Sequence, residues 1–586
     1  MKNPYLRTTQ PTEKPLRAWP GVLIAIGMAA MMTIPGVLAP RTSLQFMSLM
    51  FGSVLAFAFG TVWWYFGARV TGRHRWTIPL LWFLLLAGFS APEMISGHPP
   101  MSSAVYGWPF QFALFTVVVL CLWLAGRSAQ LAGAYVVTIL AWAMFALVRI
   151  EGADAELTPT FTWAWMPRPE AVAKELDQRQ LGNVEKAEGK LIETDWPQFR
   201  GAKQDGIVRG RLNFDFTVEP KLVWKQAIGP GWGTFSVVGN RLFTQEQRGE
   251  NEAVVCYNAV NGEELWRFYE VAKFRETISS VGPRATPTYH NGQLFVQGTT
   301  GYLYCLNADT GETVWRRGLL ADAGAKVPMW GLAGSPTVLN ELVYVYTGGV
   351  PNKGLTALSK STGEVVWQAG NATHGYSTIH VAELAGRTQL LYMSNYGIEA
   401  FDPLTGDVLW DYPEPLSNGN RATQPMLLNR NELLFTTGVG QNLGATRLKI
   451  ESTGTGFTVS KLWFTNKLKP YFNDGVQLGG FYYGFDDKSL VCIDLKSGQL
   501  LWNAGTKYAH GQLLLLEDAA MLVVVGVDGS VSLVKADPGE YSEELSFKAL
   551  KGKTWNHPVF SNGRLYLRNS AEAACYEFAP INKAGK

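Results

Sequence analysis

Residues 303–315 read LYCLNADTGETVW, a short apolar run followed by a polar turn that ends in Gly311 and by Trp315 four residues later. The phrase recurs four more times with the same glycine-to-tryptophan spacing, ending at Trp266, Trp367, Trp410 and Trp502. Asn or Asp can hydrogen-bond its own backbone in a tight turn, and glycine supplies the positive φ that the return needs. Each copy therefore predicts two antiparallel strands joined by a tight turn.

A repeat of about 40 to 50 residues built from short strands is typical of a β-propeller, in which each repeat forms one four-stranded blade. Weaker copies complete the series, because KLVW ends at Trp224, KLWF contains Trp463, and ELSF places Phe547 where tryptophan would stand. We therefore predict an all-β propeller of eight blades over residues 195–580. Pairing the isolated KLVW strand with the last hairpin, RLYLRNS and AACYEFA, would close the ring and leave no open sheet edge.

The outer-strand tryptophans are predicted to be structural. Tryptophan at a constant offset always leaves its sheet on the same face, where a large indole can dock between neighbouring blades. Burial of each such side chain contributes on the order of 1.5–3 kcal/mol. The predicted structural set is Trp224, Trp266, Trp315, Trp367, Trp410, Trp463 and Trp502.

The phrase A-L-[DN]-x-x-T-G-x-x-x-W resembles the repeat of the pyrroloquinoline quinone (PQQ) propeller superfamily. Residues 195–201, DWPQFRG, and the segments around Arg284 and Trp330 resemble a PQQ-like subfamily of unassigned function. The resemblance covers about residues 195–580. It implies the propeller fold and two kinds of function: quinoprotein dehydrogenases, some of them membrane-anchored, and cofactor-free propellers such as the lipoprotein of the outer-membrane β-barrel assembly machine.

The first part of the chain is predicted to lie in a membrane. It contains five apolar stretches near bilayer-spanning length, at about 19–39, 44–67, 76–91, 107–125 and 131–149. Lys and Arg concentrate before the first stretch, between the second and third, and after the fourth, so the positive-inside rule places the N-terminus in the cytoplasm. Five crossings then place the propeller in the periplasm. This topology resembles that of membrane-bound quinoprotein glucose dehydrogenase.

These features predict a multi-pass protein of the bacterial inner membrane, with the lipid bilayer as one partner. The predicted order is a cytoplasmic tail (1–18), a five-span α-helical anchor (19–150), a tether with a short helix (151–194), the eight-bladed propeller (195–580) and a C-terminal tail (581–586). The formal net charge is +3 over 586 residues, and no basic run interleaves with aromatics, so nucleic acid is not an expected partner. The five cysteines form no CxxC or CxxCH motif, which argues against disulfides, zinc and haem c attachment.

A propeller binds ligands at the mouth of its central channel, on the loops that precede the innermost strand of each blade. These loops bring two arginines, two histidines and several amides and indoles toward one axis, as expected of a pocket for an anionic or polyol ligand. The candidate cofactor-binding residues are Arg284, Trp330, Arg421, Asn473, His510, Trp555, Asn556 and His557. The alternative is a channel mouth that is polar only because water fills it.

The resemblance to quinoproteins implies roles for these residues if PQQ binds. Arg284 and Arg421 could meet the cofactor carboxylates, and Trp330 or Trp555 could stack on its plane. Asp474 is the candidate catalytic base. Asn473 and Asp474 are the candidate Ca²⁺ ligands, as the only pair in these loops that includes a carboxylate. No vicinal-cysteine lid and no second acidic ligand near Asn473 are visible, which counts against the cofactor.

Two functions follow from the sequence. The first is a membrane-anchored periplasmic propeller that acts as a binding or scaffold module for envelope proteins or ligands. The alternative is a PQQ-dependent dehydrogenase that oxidises an alcohol or sugar and passes electrons to membrane quinone. Compact blades without a recognisable cofactor set favour the first function, whereas the five-span topology and the polar channel mouth favour the second.

Overall fold

The structure is a computed structural model that describes residues 14–38, 43–95, 107–153, 159–166, 169–183, 191–276, 279–416, 421–438 and 443–581. Most of the two predicted tails, 1–18 and 581–586, lies outside these ranges. The chain forms two compact units, a helical unit built mainly from Met1–Met166 and a propeller unit that begins at Pro167.

The described part of the helical unit contains five α-helices. They are α1 (Trp19–Leu38), α2 (Ser43–Val62), α3 (His74–Ile95), α4 (Trp108–Cys121) and α5 (Arg127–Ala146). The helix α2 continues into a π-helical turn, Trp63–Gly67, and α4 continues into a 3-10 turn, Leu122–Ala125. A β-hairpin of Val148–Ala153 and Pro159–Trp163 follows α5.

Among the described residues, four helices are long and apolar enough to cross a membrane, so the predicted count of about five spans is too high by one on this criterion. The four spans are Trp19–Leu38, Met47–Gly67, Trp108–Ala125 and Arg127–Ala146. The remaining helix, α3, covers the predicted third span but begins with His74 and Arg75. These polar residues lower the mean hydropathy of its described part.

The interior of the helical unit is aromatic, with its polar groups paired at specific points. Trp64, Trp82 and Phe115 are fully buried, and the Trp82 and Phe115 ring centroids lie 4.9 Å apart. Gln130 is also fully buried, and its amide accepts from the Leu16 backbone N–H at 2.6 Å and donates to the Val119 carbonyl at 2.8 Å. Hydrogen bonds of this kind allow a polar side chain to remain among apolar helices.

Eight antiparallel sheets form the propeller, which confirms the predicted blade number. From innermost to outermost strand, blade 1 has Ser236–Val238, Arg241–Arg248, Asn251–Asn258 and Glu264–Val271; blade 2 has Thr288–His290, Gln293–Gln297, Tyr302–Asn307 and Thr313–Gly318; blade 3 has Thr337–Leu339, Leu342–Tyr346, Leu355–Ser359 and Val365–Ala369. Blade 4 has His380–Leu384, Arg387–Met393, Gly397–Phe401 and Val408–Pro413; blade 5 has Met426–Asn429, Glu432–Thr436, Ala445–Thr453 and Gly456–Thr465; blade 6 has Val476–Leu478, Phe481–Asp486, Ser489–Asp494 and Leu500–Asn503.

The last two blades join distant parts of the chain. Blade 7 has Gln512–Leu516, Met521–Val525, Ser530–Lys535 and Glu543–Lys548; blade 8 has Val559–Ser561, Arg564–Arg568, Glu572–Glu577 and, outermost, Lys221–Ala227. The last strand pairs antiparallel with Glu572–Glu577, so the predicted ring closure is confirmed. A two-residue strand, Ile207–Val208, adds in parallel to the innermost strand of blade 7. Two residues are too short to show periodicity, and the sequence did not predict this strand.

The glycine and the tryptophan of the repeat meet between neighbouring blades. Gly311 has φ +74°, and a Cβ on it would lie 2.5 Å from the Trp266 ring of the preceding blade. The Trp266 indole N–H donates to the Ala308 carbonyl in the same turn at 3.1 Å. Six of the seven predicted structural tryptophans donate to the following blade in this way. Constant spacing within the repeat therefore serves the packing between repeats.

Trp410 is the exception, because its indole N–H donates to Gln389 of its own blade at 2.7 Å. The third strand of the following blade runs on through Ala445–Thr453 and has no tight turn at the matching place. A longer hairpin thus removes the carbonyl that the other six indoles use.

Part of the predicted tether belongs to the propeller unit. A helix, α6 (Pro169–Asp177), forms within the predicted tether, and its Ala173 and Leu176 are buried. Arg267 of the outermost strand of blade 1 donates to the Asp177 carbonyl at 2.8 Å and to the Arg179 carbonyl at 2.8 Å. Further short elements of the chain are α7 (Leu319–Ala323) and the strands Arg275–Glu276 and Ser280–Val281.

Candidate functional site

Residues 195–209, called the plug from here on, cross the central channel of the propeller. Trp196 exchanges two backbone hydrogen bonds of 2.8 Å with Val237 in blade 1, and the Pro197 carbonyl accepts from the Tyr289 N–H of blade 2. The Gln204 amide accepts from the Val381 N–H of blade 4 at 3.1 Å. The plug therefore contacts innermost strands on several sides, so the chain itself fills this level of its channel.

The loops that precede the innermost strands, called the loop face from here on, are linked by a repeated hydrogen bond. The side chain two residues before an innermost strand accepts the backbone N–H of the matching residue in the preceding blade. The acceptors are Thr286, Ser335, Thr378 and Asp474, at 2.6–3.0 Å. Asp474 therefore occupies a position where three other blades use a hydroxyl, and its Oδ1 accepts from the Gln424 N–H at 2.6 Å.

The second oxygen of Asp474 faces two basic side chains. Asp474 is 4% exposed, and its Oδ2 lies 3.8 Å from Nη1 of Arg200 and 4.0 Å from Nε2 of His557. This oxygen, Oδ2, has no hydrogen-bond partner among the described residues. Burial raises the pKa of Asp474, opposed by the Arg200 charge and the Gln424 N–H. Burial together with the Arg200 charge lowers the pKa of His557 well below its usual range.

Arg200, a residue of the plug, is the functional candidate that sequence reasoning missed. It is 4% exposed with φ +60°, and its Nη2 donates to the Asp205 and Gly475 carbonyls at 2.7 Å each. Its Nε and Nη1 have no hydrogen-bond partner among the described residues. The DWPQFRG motif contains this arginine, but no periodicity places a segment before the first blade inside the channel.

A cavity of about 460 Å³ lies between the plug and the innermost strands of blades 3 to 6. Arg200, Asp474 and His380 line it, and amide and hydroxyl side chains form much of the rest of its polar wall: Gln198, Gln204, Thr337, Thr423, Gln424, Thr436, Asn473 and Gln477. Nδ1 of His380 is buried without a hydrogen-bond partner in the described structure. Burial lowers the pKa of His380 to about 4, so its imidazole is neutral at pH 7.

Arg284 and Trp330 lie on another part of the loop face. Arg284 donates to the Gly282 carbonyl at 2.8 Å and to Glu276 at 3.1 Å, and its guanidinium carbon lies 4.8 Å from the Phe274 ring centroid. Burial lowers the pKa of Arg284. Trp330 is partly exposed and packs on Tyr376, with ring centroids 5.3 Å apart.

Three predicted site residues hold backbone in place. Arg421 is fully buried and donates to the Ser394 and Glu414 carbonyls, and burial lowers its pKa to about 10. The Asn473 amide donates to the Gly511 carbonyl of the next loop. The Asn556 amide donates to the carbonyls of Gly231, at 3.0 Å, and Gly233, at 2.6 Å. These hydrogen bonds join the loops of neighbouring blades around the ring.

Trp555 and His510 belong to a run of rings on the loop face. Trp555 lies 5.5 Å from Trp232 and 5.0 Å from Phe472, and Phe472 lies 6.0 Å from His510. We call these four rings the aromatic strip; they precede the innermost strands of blades 6, 7, 8 and 1. Lys553 Nζ lies 3.5 Å from the Trp555 ring centroid, a cation–π distance.

The side chains around Asp474 do not fit PQQ with Ca²⁺. Ca²⁺ takes six to eight oxygen ligands, but Asp474 faces Arg200, and Asn473 directs its amide N–H₂ at a carbonyl of another loop. No group of three or more His, Cys, Asp and Glu residues suited to a metal occurs in the described ranges. Arg284 and Arg421 already bind carbonyls or a carboxylate and would have to exchange them for those of the cofactor.

Comparison with known proteins shows which families the repeats resemble. Residues 250–504 match the family profile described as outer membrane protein assembly factor BamB. This match spans less than half of the chain. Two curated proteins named outer membrane protein assembly factor BamB are similar to this chain: that of Shewanella oneidensis is 23% identical over 312 residues (49% of this chain and 71% of that protein), and that of Yersinia pestis is 21% identical over 328 residues (54% and 70%).

The chain is also similar to solved structures of a BamB protein and of a quinohemoprotein alcohol dehydrogenase. BamB from Moraxella catarrhalis has a TM-score of 0.46 at 17% identity, covering 61% of this chain and 100% of that chain. The quinohemoprotein alcohol dehydrogenase from Comamonas testosteroni has a TM-score of 0.46 at 14% identity, covering 71% of this chain and 86% of that chain.

Proposed function

We propose that this chain is a membrane-anchored propeller that binds other envelope proteins through its loop face. The observation that carries the proposal is the aromatic strip, which continues across the loops of four neighbouring blades and has Lys553 over one of its rings. Its Trp232, Phe472 and Trp555 rings are partly exposed, whereas His510 is buried. Aromatic and cationic side chains of this kind supply the central contacts of protein interfaces. The relatives named as outer membrane protein assembly factors suggest precursors of outer-membrane proteins, or the machinery that assembles them, as partners.

The dehydrogenase alternative has weaker support from the site. The plug fills part of the channel, Arg200 provides the cation beside Asp474, and Arg421 is hydrogen-bonded to two backbone carbonyls. Among the described residues, these contacts leave neither an oxygen-rich metal site nor an exposed base beside Asp474.

A photo-crosslinking experiment tests the loop face as a binding surface. A photoreactive residue in place of Trp330 or Lys553, both on the loop face, is expected to capture outer-membrane precursors or assembly components in growing cells. The matched control is Asn291, an exposed residue in the turn at the other end of the innermost strand of blade 2. The proposal fails if all three positions give the same products, or if the two loop-face positions capture nothing.

We also propose that the propeller lies in the periplasm with the anchor in the inner membrane, which requires α3 to cross the bilayer. The four spans that meet the length and composition criterion would return the chain to the side of its N-terminus, whereas five would not. Alkaline phosphatase fused after residue 166 is expected to be active, and a fusion in the Arg69–Arg75 connection is expected to be inactive. Activity at the second position but not the first would reverse the orientation.

A further inference from the structure

The cavity beside the plug contains more hydrogen-bonding capacity than the fold uses. At the loop face, Thr286, Ser335 and Thr378 make the inter-blade bond with a single hydroxyl, whereas Asp474 makes the same bond with one oxygen and has a second left over. That oxygen, two nitrogens of Arg200 and Nδ1 of His380 are buried without hydrogen-bond partners in the described part of the chain. Leaving a buried polar group without a hydrogen bond costs about 1–3 kcal/mol. Several such groups around one cavity therefore suggest that a ligand supplies the missing hydrogen bonds.

The chemistry of this set defines the ligand class. Arg200 and Asp474 carry opposite charges, and His380 is neutral at pH 7, so these three side chains have little net charge. The guanidinium donates and the carboxylate accepts, and their nearest atoms are 3.8 Å apart. A hydroxyl group can accept from one and donate to the other, which a carboxylate or an ammonium group cannot do. The cavity lining also contains two further cations, Lys203 and Arg209, and two further carboxylates, Asp205 and Glu383, so its formal charges balance. The amide and hydroxyl lining both donates and accepts.

We propose that the cavity binds a small neutral polyhydroxylated molecule, of the size of a mono- or disaccharide, with one hydroxyl hydrogen-bonded to both Arg200 and Asp474. The cavity volume of about 460 Å³ lies in the range of small-molecule sites. Because the plug forms one wall, an occupied cavity holds the plug in the channel. This binding activity goes beyond the proposed protein-binding role and does not depend on it.

Calorimetric titration of the full-length protein in a detergent without a sugar headgroup tests the proposal. The neutral probes are maltose, trehalose and N-acetylglucosamine, and the charged probes are citrate and spermidine. At least one neutral probe is expected to bind with a dissociation constant of about 1 mM or tighter, and the charged probes more weakly. Absence of binding by every neutral probe up to about 10 mM, or tighter binding of a charged probe, would overturn the proposal.

Asp474→Thr is the decisive variant, because threonine retains the inter-blade acceptor that Thr286 and Thr378 provide and removes the second oxygen. It is expected to weaken neutral-probe binding at least about tenfold, whereas the control Thr378→Ser leaves binding unchanged. A readout on the wild-type chain does not depend on how the variant folds: the neutral probe should slow amide hydrogen exchange in residues 198–209. Equal binding by Asp474→Thr, or unchanged exchange in those residues, would assign the site elsewhere.

Discussion

Arg200→Ala is expected to lower the free energy of unfolding of the propeller by about 3–5 kcal/mol, because it leaves Asp474 as a buried carboxylate without a cation. Both side chains are 4% exposed, and Arg200 also donates to two backbone carbonyls, one in the plug and one beside Asp474. Urea-dependent proteolysis of the detergent-solubilised chain measures this loss, since it reports the propeller fragments separately from the helical unit.

The loss should depend on pH. The folded-state pKa of Asp474 is raised above that of an unfolded aspartate. The free energy of unfolding therefore falls as the pH rises through the folded-state pKa, because the folded protein must then hold an ionised carboxylate. Removing Arg200 removes the charge that opposes this shift, so the deficit is largest near pH about 7 and smaller near pH about 4, where the unfolded aspartate also begins to bind its proton. A deficit that is the same at both pH values would contradict this explanation.

Two further variants separate charge from packing. Arg209→Ala is the matched control, because Arg209 lies in the same plug and pairs with Asp205 at 2.6 Å but is 30% exposed. Its expected cost is below about 1 kcal/mol. Adding Asp474→Thr to Arg200→Ala should restore part of the lost stability, since the unpaired charge is gone and the inter-blade acceptor remains. A double variant less stable than Arg200→Ala would show that the loss comes from packing.

Arg248→Met is expected to have a comparable effect in blade 1, again about 3–5 kcal/mol. Arg248 is fully buried, and its Nη2 lies 3.2 Å from Glu246 and 2.9 Å from Glu264, which are 0% and 1% exposed. Methionine fills similar space but leaves the two carboxylates facing each other without the guanidinium. The same proteolysis assay measures the free energy of unfolding.

The control for Arg248 is a more exposed ion pair that joins blade 1 to blade 2. Arg316, 45% exposed, pairs with Glu270 at 2.8 Å, and Arg316→Met should cost less than about 1 kcal/mol. Burial raises the pKa of Glu264, so in Arg248→Met the penalty should shrink as acid protonates this carboxyl group. Equal costs for Arg248→Met and Arg316→Met would mean that the buried network contributes no more than a surface pair.

The blades could be predicted in some detail because their information is local. The turn residues, the glycine with positive φ and the tryptophan four residues later lie within a single hairpin, and five copies repeat the pattern. Even the ring closure followed from an isolated strand at one end of the domain and a hairpin without an outer strand at the other. The contact between Gly311 and Trp266 was not visible in the sequence, because the two residues belong to different blades.

For the candidate site, the sequence indicated which loops carry the polar residues, whereas only the structure gave the contacts that each residue makes. Asp474 and His557 do lie together, and Trp555 and His510 share the aromatic strip. Asn473, Asn556 and Arg421 instead bind backbone carbonyls. A polar residue in a loop can face the channel or the next loop, and only the positions of neighbouring loops decide between these alternatives.

The sequence by itself determined the apolar helical region, the eight-bladed ring and the repeated tryptophans, because hydrophobic length and hairpin chemistry are properties of contiguous residues. The tertiary structure alone decided that residues 195–209 fill the channel, that Arg200 faces Asp474, and that this acid replaces a hydroxyl in the inter-blade series. Arg200 and Asp474 are far apart in the chain. Their meeting depends on ring closure, which brings the segment before the first blade onto the axis that all eight blades share.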